Sequence, residues 1–398
     1  MDTDSSMLLL GVGGGGCRLV QEAGKLYGPG MRVVCVDTDS ATSRNGMPEG
    51  QKFLLIGGSR LSGHGAGGDA VRGRLAAQDD RKELAALLDG VRTVVLITCL
   101  GGGTGGGAAA EIAHELYSNG VTVLCFALLP FSFEGEARNT SAVQLLPLLE
   151  SNTASLVRVP QDSLFADAGA ERMDELLERS NGIIAAGVSM LWRSVNSPGF
   201  IALDPQRMHD MISIGGNARF GFSVSDAEDR AEVAVRELLE CNLLEKGSAI
   251  RKSQAVMLGI MAGGDLRLAE IGSIMKSLRA ICPPNCRIEL GTVLDSRFDG
   301  RIELVALAFE PWRESGTKSA AAHKSAETGS TGPGGEPPPV AVAPPLSSVR
   351  RTPKSRGGNS KLNVVVGKGR FQHVEATIYN GQDLDVPTYS RRGIILER

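Results

Sequence analysis

Aromatic side chains are scarce, 4% of the 398 residues, and positive charge is not in excess: 42 Lys and Arg stand against 45 Asp and Glu, a net charge of −3. A nucleic-acid binder draws on a basic face for its phosphate contacts, so nucleic acid is not an expected partner. No apolar run reaches the ~18 residues that span a bilayer, and Met1-Asp2-Thr3-Asp4 lacks the basic start of a secretory signal. Direct membrane insertion is therefore not expected, and a cytoplasmic location is. The 7 cysteines are scattered. Their nearest pair, Cys282 and Cys286 in Cys-Pro-Pro-Asn-Cys, matches no metal-ligand spacing and has no second pair to join, which points to reduced thiols rather than a metal site. No Gly-rich loop is followed by Lys-Ser/Thr, so an ordinary P-loop is also excluded.

Glycine, by contrast, is abundant, with 51 residues that cluster. Short apolar runs at 8–12, 32–36, 93–98, 121–128 and 155–159 alternate with helix-length segments at 15–26, 83–88, 108–117 and 136–146, the last expected to stop before Pro147. Consecutive Val, Ile and Leu suit strands covered on both faces. The pattern predicts a mostly parallel, Rossmann-type α/β sheet with its ligand loops at the carboxyl ends of the strands. Apolar residues at helical spacing across 171–197, stopped by Pro198-Gly199, predict one long central helix joining two halves. A smaller α/β domain follows, with strands near 220–224, 255–261, 286–290 and 302–309 and helices near 226–240 and 266–280. Beyond Arg313 the composition turns to Ser, Thr, Gly, Ala, Lys and Pro, which cannot bury enough apolar surface to offset ordering. The expected domains are thus 1–170 (nucleotide binding), 171–198 (central helix), 199–313 (second α/β domain), 314–361 (disordered linker) and 362–398 (docking tail).

Gly11-Val12-Gly13-Gly14-Gly15-Gly16 follows the first strand and opens a helix, where backbone amides and the helix N-terminus suit a phosphate. It also satisfies Gly-x-Gly-x-x-Gly, with Asp37 and Asp39 ending the next strand where a ribose-binding acid stands in dinucleotide folds. That loop alone favours a nicotinamide-dependent oxidoreductase. A second loop, Gly101-Gly102-Gly103-Thr104-Gly105-Gly106-Gly107, changes the balance. A turn needs one or two glycines, and this many sacrifice much backbone entropy. Close approach to an anion accounts for them, with the Thr104 hydroxyl and the helix dipole assisting. A triphosphate gripped from several sides needs two such loops.

Gly-Gly-Gly-Thr-Gly-x-Gly after a strand resembles the signature of the tubulin/FtsZ family, and the likeness to bacterial FtsZ extends over nearly the whole chain. The resemblance implies a tubulin-like fold that binds GTP or GDP, with Mg2+ accompanying the nucleotide. On it the first loop supplies Gly13, Gly14, Gly15, Gly16, Cys17 and Arg18, and Val36-Asp37-Thr38-Asp39 supplies Asp39. Gly63-His64-Gly65-Ala66-Gly67-Gly68-Asp69 resembles the γ-phosphate-sensing loop and supplies Ala66, Gly67 and Gly68. The second loop gives Gly101, Gly102, Gly103, Thr104, Gly105 and Gly106. Pro130-Phe131-Ser132-Phe133-Glu134-Gly135-Glu136-Ala137-Arg138 is similar to the ribose-side motif, which implies ribose contact by Glu134 and nucleotide contact by Arg138. From the residues alone this Glu/Arg spacing is an i, i+4 surface ion pair. Asn181, followed by Gly182, falls where the family reads guanine, although the neighbouring Asp of the family is absent.

The resemblance also exposes departures. Cys17-Arg18 stands where the family has Gly-Asn. In the family, a loop after the central helix carries two acids that act on the neighbouring subunit's nucleotide. Here it reads Ala202-Leu203-Asp204-Pro205-Gln206-Arg207, keeping Asp204 but replacing the second acid with Arg207. An Arg is poorly suited to orient water as a base, so weak hydrolysis is expected. An arginine-finger role for Arg207 is the alternative. Leu384-Asp385-Val386-Pro387-Thr388-Tyr389, followed by Ser390-Arg391-Arg392, resembles the family's tail peptide and implies docking on membrane-anchoring division proteins. The expected function is head-to-tail polymerisation into division-ring filaments at the division site. Two alternatives stand beside it: a hydrolysis-poor paralogue that copolymerises with an active homologue, and the oxidoreductase.

Overall fold

The computed structural model describes residues 7–27, 32–43, 50–164, 172–197 and 199–311, together with two short strands at 378–379 and 382–383. The expected linker, 314–361, and the 384–392 peptide lie outside the described residues. Two compact units divide the chain, 1–320 and 321–398. In the second unit, Ile378–Tyr379 pairs antiparallel with Gln382–Asp383.

In the first unit the chain runs β1 (Met7–Val12), α1 (Gly13–Tyr27), β2 (Val33–Asp37), β3 (Lys52–Leu55), α2 (Gly58–Leu61), α3 (Ala70–Asp79), α4 (Arg81–Leu88) and β4 (Thr93–Cys99). A π-turn, Thr104–Ala108, then leads into α5 (Ala109–Ser118), followed by β5 (Thr122–Leu129), α6 (Glu136–Ser151), β6 (Ser155–Pro160), α7 (Gln161–Leu164) and the central helix α8 (Met173–Asn196). The second half comprises α9 (Pro205–Ser213), β7 (Gly216–Ser225), α10 (Arg230–Glu240), α11 (Ser248–Lys252), β8 (Ala255–Ala262), α12 (Leu268–Ile281), β9 (Arg287–Leu294) and β10 (Ile302–Glu310).

The strands form one sheet in the order β3-β2-β1-β4-β5-β6-β7-β10-β8-β9. Pairing from β3 to β7 is parallel, whereas β10 runs antiparallel to both β7 and β8. Strands such as β1 and β4 are buried almost throughout, as their unbroken Val, Leu and Ile require. The two halves are hydrogen-bonded to each other, because Ser155, Leu156 and Val157 of β6 pair with Gly216, Asn217 and Ala218 of β7.

Helix α8 spans 24 residues, ~36 Å at 1.5 Å per residue. It packs on α1 and on strands of the second half. From Ile184 to Ser194 its residues are all buried. At Gly187 an added Cβ would collide with the Phe220 ring of β7, so glycine sets how closely helix and sheet approach. Lower down, Arg193 donates to Asp295 at 2.8 Å, and the two side chains are only 8% and 12% exposed.

Two expectations need correction. Helix α6 does not stop before Pro147 but continues to Ser151. The ring costs the bond to the Val143 carbonyl, yet Val143 and Pro147 both face solvent, where water satisfies that carbonyl. The segment after Ala202 is not all loop, since Pro205 begins α9 with Asp204 as its N-cap.

The Asp295 carboxyl is held well below the usual carboxylate range, first by the Arg297 guanidinium and then by the Arg297 amide and Arg193, against the opposing effect of burial. A depressed folded-state pKa stabilises the fold above the unfolded value and loses that contribution as pH falls toward the folded one. Asp295→Ala takes the carboxylate away from the buried Arg193 guanidinium and is expected to destabilise the fold by about 3 kcal/mol at pH 7 in urea unfolding. Asp295→Asn should in addition remove part of the stability loss that the unmutated chain shows on acidification below about pH 4.

Candidate functional site

After β1 the chain builds outward through β2 and β3, then returns to place β4 on the other side of β1. The β1/β4 boundary is therefore a topological switch point, where the loops after adjacent parallel strands diverge and leave a crevice. The two glycine loops follow those two strands. They meet closely: a Cβ on Gly13 would lie 2.8 Å from the Gly105 nitrogen. Helix α1 starts at Gly13 itself, with φ +74°, so its first turn is Gly13-Gly14-Gly15-Gly16. The first amides of a helix have no intrahelical acceptor, and here two such sets stand side by side, a ready anion site. The π-turn lies entirely buried at the head of α5 and packs against α3.

The glycines do not all serve that crevice. An added Cβ would strike the Ala70 carbonyl from Gly107, the Cys99 carbonyl from Gly105, the Leu145 side chain from Gly106 and the Ile97 carbonyl from Gly16. From Gly15 it would lie 2.5 Å from the Cys99 sulfur, and from Gly103 it would lie 2.7 Å from the Ala66 Cβ and 2.9 Å from the Asp69 nitrogen. Gly101 has φ +87° and lies against the Arg138 carbonyl, and Gly67 and Gly68 hold φ +62° and +80°. These positions need glycine for the protein's own packing or backbone. Gly14 and Gly102 differ. Neither has positive φ, and an added Cβ would meet nothing nearer than 3.6 Å at Gly14 and nothing within 4 Å at Gly102. Open space at a glycine with no conformational need leaves room for close approach by a ligand.

The side chains around the crevice are already partly committed. Thr104 is buried, with its hydroxyl 2.6 Å from that of Thr38. Asp37 is buried and accepts from the Thr38 amide at 2.7 Å and the Thr42 hydroxyl at 2.6 Å. Asp39 accepts from the Ala41 amide at 2.8 Å. Asp37 and Asp39, the two acids at the end of β2, thus both accept hydrogen bonds within the β2 turn. Ala66 is buried against Gly103, while Gly67 and Gly68 are exposed. Glu134 accepts from the Phe131 amide at 3.0 Å and forms an ion pair with Arg138, the i, i+4 pairing its spacing allows.

Arg18 is exposed, but Cys17 turns inward, where its thiol donates to the Gly11 and Val36 carbonyls, so only its amide is available to a ligand. A hydrogen bond with Cys35 and burial push the Cys17 thiol up. Burial pushes the Cys99 thiol, beneath Gly15, up to about 12.

Asn181 shares a helix stripe with Ala185 and Ser189 at i, i+4 and i+8, and the Ser189 hydroxyl reaches the Ala23 carbonyl of α1. Gly182, one residue on, instead lines a cavity of about 370 Å³ with Phe222, Phe298 and Arg301. Thr38 is only weakly marked in the sequence: it stands between two aspartates at a strand end, inside Val36-Asp37-Thr38-Asp39, from which the resemblance takes Asp39 alone.

Asp204 and Arg207 occupy the opposite pole. Asp204, Pro205 and His209 line a cavity of about 680 Å³ with Met7, Thr93 and Val121, which stand at or just before the amino ends of β1, β4 and β5. That is a full strand length, ~20 Å, from the glycine loops. The Asp204 carboxylate accepts from the Gln206 and Arg207 amides at 2.8 and 3.1 Å. Arg207 pairs with Glu289 at 3.2 Å, and Arg287 binds the same carboxylate at 3.0 Å. Within one copy, Asp204 and the crevice cannot act on the same molecule.

The Tubulin/FtsZ family GTPase domain matches residues 6–169, and the FtsZ family C-terminal domain matches residues 216–310. The cell division protein FtsZ of Wigglesworthia glossinidia brevipalpis is 28% identical over 309 residues, 77% of this chain and 80% of that protein. The cell division protein FtsZ of Buchnera aphidicola subsp. Schizaphis graminum is 29% identical over 313 residues, again 77% and 80%. Among solved structures, an empty FtsZ dimer of M. jannaschii has a TM-score of 0.73 at 26% identity, covering 78% of this chain and 89% of that one. CetZ2 from Haloferax volcanii, solved as a GTPγS-bound protofilament, has a TM-score of 0.63 at 22% identity over 77% and 93%, a likeness of fold alone.

Two glycine substitutions separate packing from ligand approach. Gly103→Ala is expected to cost about 1–3 kcal/mol by overpacking, read as a fall in melting temperature without ligand. Gly102→Ala should leave that melting temperature unchanged while weakening nucleoside diphosphate binding in calorimetry.

Proposed function

Because the chain belongs to the tubulin/FtsZ family, we propose that it binds guanine nucleotide in the crevice between its two glycine loops and stacks head to tail into cell-division filaments. The observation that carries this reading is the separation of the poles. The crevice opens at the carboxyl ends of β1 and β4, and Asp204 stands by their amino ends, so a second copy must bring its Asp204 pole to the crevice of the first. Such a contact is heterologous and propagates into an open filament.

The nucleotide-binding residues carried over from the family, Gly13 to Arg18, Asp39, Ala66 to Gly68, Gly101 to Gly106, Glu134, Arg138, Asn181 and Gly182, are part of this proposal. The geometry favours a division of labour among them. Gly14 and Gly102 leave room for phosphates, the helix-start amides of both loops donate, and Arg18 adds charge. Glu134 and Arg138 exchange their mutual ion pair for the ribose side of the ligand. Mg2+ accompanies the phosphates. Among the described residues no three His, Cys, Asp or Glu cluster as a metal site, and Asp39 and Asp69 already accept backbone amides, which favours a cation carried in by the nucleotide.

Hydrolysis is proposed to be weak. Asp204 is the single acid of its loop, and its carboxylate already caps α9. Arg207 is held by Glu289 instead of offering a second acid to water. In a mixed filament, a homologue with both acids would supply the missing groups to the nucleotide held here. The 384–392 peptide is proposed to dock on membrane-anchoring division proteins and bring the filament to the division site, and 314–361 to act as its tether.

Electron microscopy should find filaments with GTP and none with GDP or without nucleotide. Absence of filaments in all three sinks self-polymerisation. Phosphate release by the purified chain should be slow and should rise on mixing with a homologue that has both loop acids, beyond the homologue's own rate. Fast turnover by the chain alone overturns the weak-hydrolysis reading.

A further inference from the structure

Thr38 is fully buried at the end of β2, and its main chain is clamped on both sides. The Asp37 carboxylate accepts its amide at 2.7 Å, and the Gly65 amide donates to its carbonyl at 3.1 Å. Its hydroxyl lies 2.6 Å from the Thr104 hydroxyl, 66 residues away in the π-turn. Thr98 supports the same turn from β4, donating to the Gly105 carbonyl. A single bond between Thr38 and Thr104 uses one of two hydroxyl protons, and the second needs an acceptor.

Among the described residues Thr38 makes no other side-chain hydrogen bond and is 0% exposed, whereas Thr104 keeps 7% exposure beside the crevice. A proton left on Thr38 would be buried without an acceptor, a costly arrangement. A proton left on Thr104 belongs to a residue that keeps some exposure at the head of α5, beside the crevice. A phosphate oxygen at neutral pH only accepts, and it binds a hydroxyl donor strongly.

We propose that Thr38 is a positioning residue of the nucleotide site: it donates to Thr104 and so turns the Thr104 proton toward the phosphates. This rests on the nucleotide-binding reading above. The Thr38 side chain does not touch the ligand. It fixes which way a neighbouring hydroxyl points, and it ties the β2 turn to the π-turn, so that the two close on the phosphates as one wall. An empty crevice leaves the Thr104 proton without an acceptor other than water.

The test is a double-mutant cycle read by GDP titration of the full chain, with ligand-free melting temperatures confirming that each variant folds. Thr38→Val should weaken GDP binding about tenfold or more, the scale of one hydrogen bond to a charged group. Thr38→Ser, which keeps the hydroxyl, should restore most of it. Thr104→Val should lose at least as much, and Thr38→Val added to Thr104→Val should cost nothing further, because the two act through one proton. If Thr38→Val does not fold, Thr38→Ala against Thr38→Ser carries the same comparison. Unchanged affinity in Thr38→Val, failure of Thr38→Ser to restore it, or additive losses in the double variant would each overturn the positioning role alone. An unmutated chain that binds neither GDP nor GTP overturns the nucleotide reading, and the positioning role falls with it.

Discussion

The site depends on backbone packed directly against backbone at the carboxyl ends of β1 and β4. Gly107 lies under the Ala70 carbonyl, Gly73 under the Gly103 carbonyl, Gly105 under the Cys99 carbonyl, and Gly13 beside the Gly105 nitrogen. No side chain fits into these contacts, so α1, α3 and the π-turn can draw together only where glycine is present at each. The gain is density of main-chain donors. Several helix-start amides are brought within reach of one crevice, at a conformational-entropy cost that the surrounding apolar sheet must offset.

This arrangement revises what an abundance of glycine means. Read as sequence, the 101–107 loop spends its glycines on an anion. In the folded chain most of them serve neighbouring protein atoms, and only Gly102, with Gly14 from the other loop, keeps open space that the protein does not use. The packed glycines bring the two loops together, and Gly14 and Gly102 keep the space beside them open. Spacing in the sequence carries little information on which glycine does which, since for Gly101, Gly103, Gly106 and Gly107 the distinction lies in contacts with residues more than 30 positions away, such as Ala70 against Gly107.

Other features were legible to different degrees, for identifiable reasons. β1, β4 and β5 announce themselves because both faces are covered and their residues are almost uniformly apolar. The edge strand β3 is short and only partly buried, so it leaves little pattern. Helix α6 outruns Pro147 because the broken bond falls on the wet face. The start of α9 carried a usable local signal, Asp204 followed by Pro205, which is the pairing expected of an N-cap and the first helical position. Thr38 escaped because a hydroxyl-to-hydroxyl contact between distant segments has no counterpart in local sequence.

The poles of the molecule therefore differ in what the sequence has kept. At the carboxyl pole the crevice is framed by main chain, with the Cys17 thiol turned inward and Arg18 exposed. At the amino pole the exposed groups are side chains: Asp204 caps α9, and Arg207 lies 3.2 Å from Glu289, a carboxylate it shares with Arg287. Main-chain donors do not depend on which side chain a position carries, whereas a carboxylate or guanidinium does. The glycine crevice and the Asp204 pole thus stand at opposite ends of one sheet, so one molecule touches both only where the amino pole of one copy meets the crevice of another.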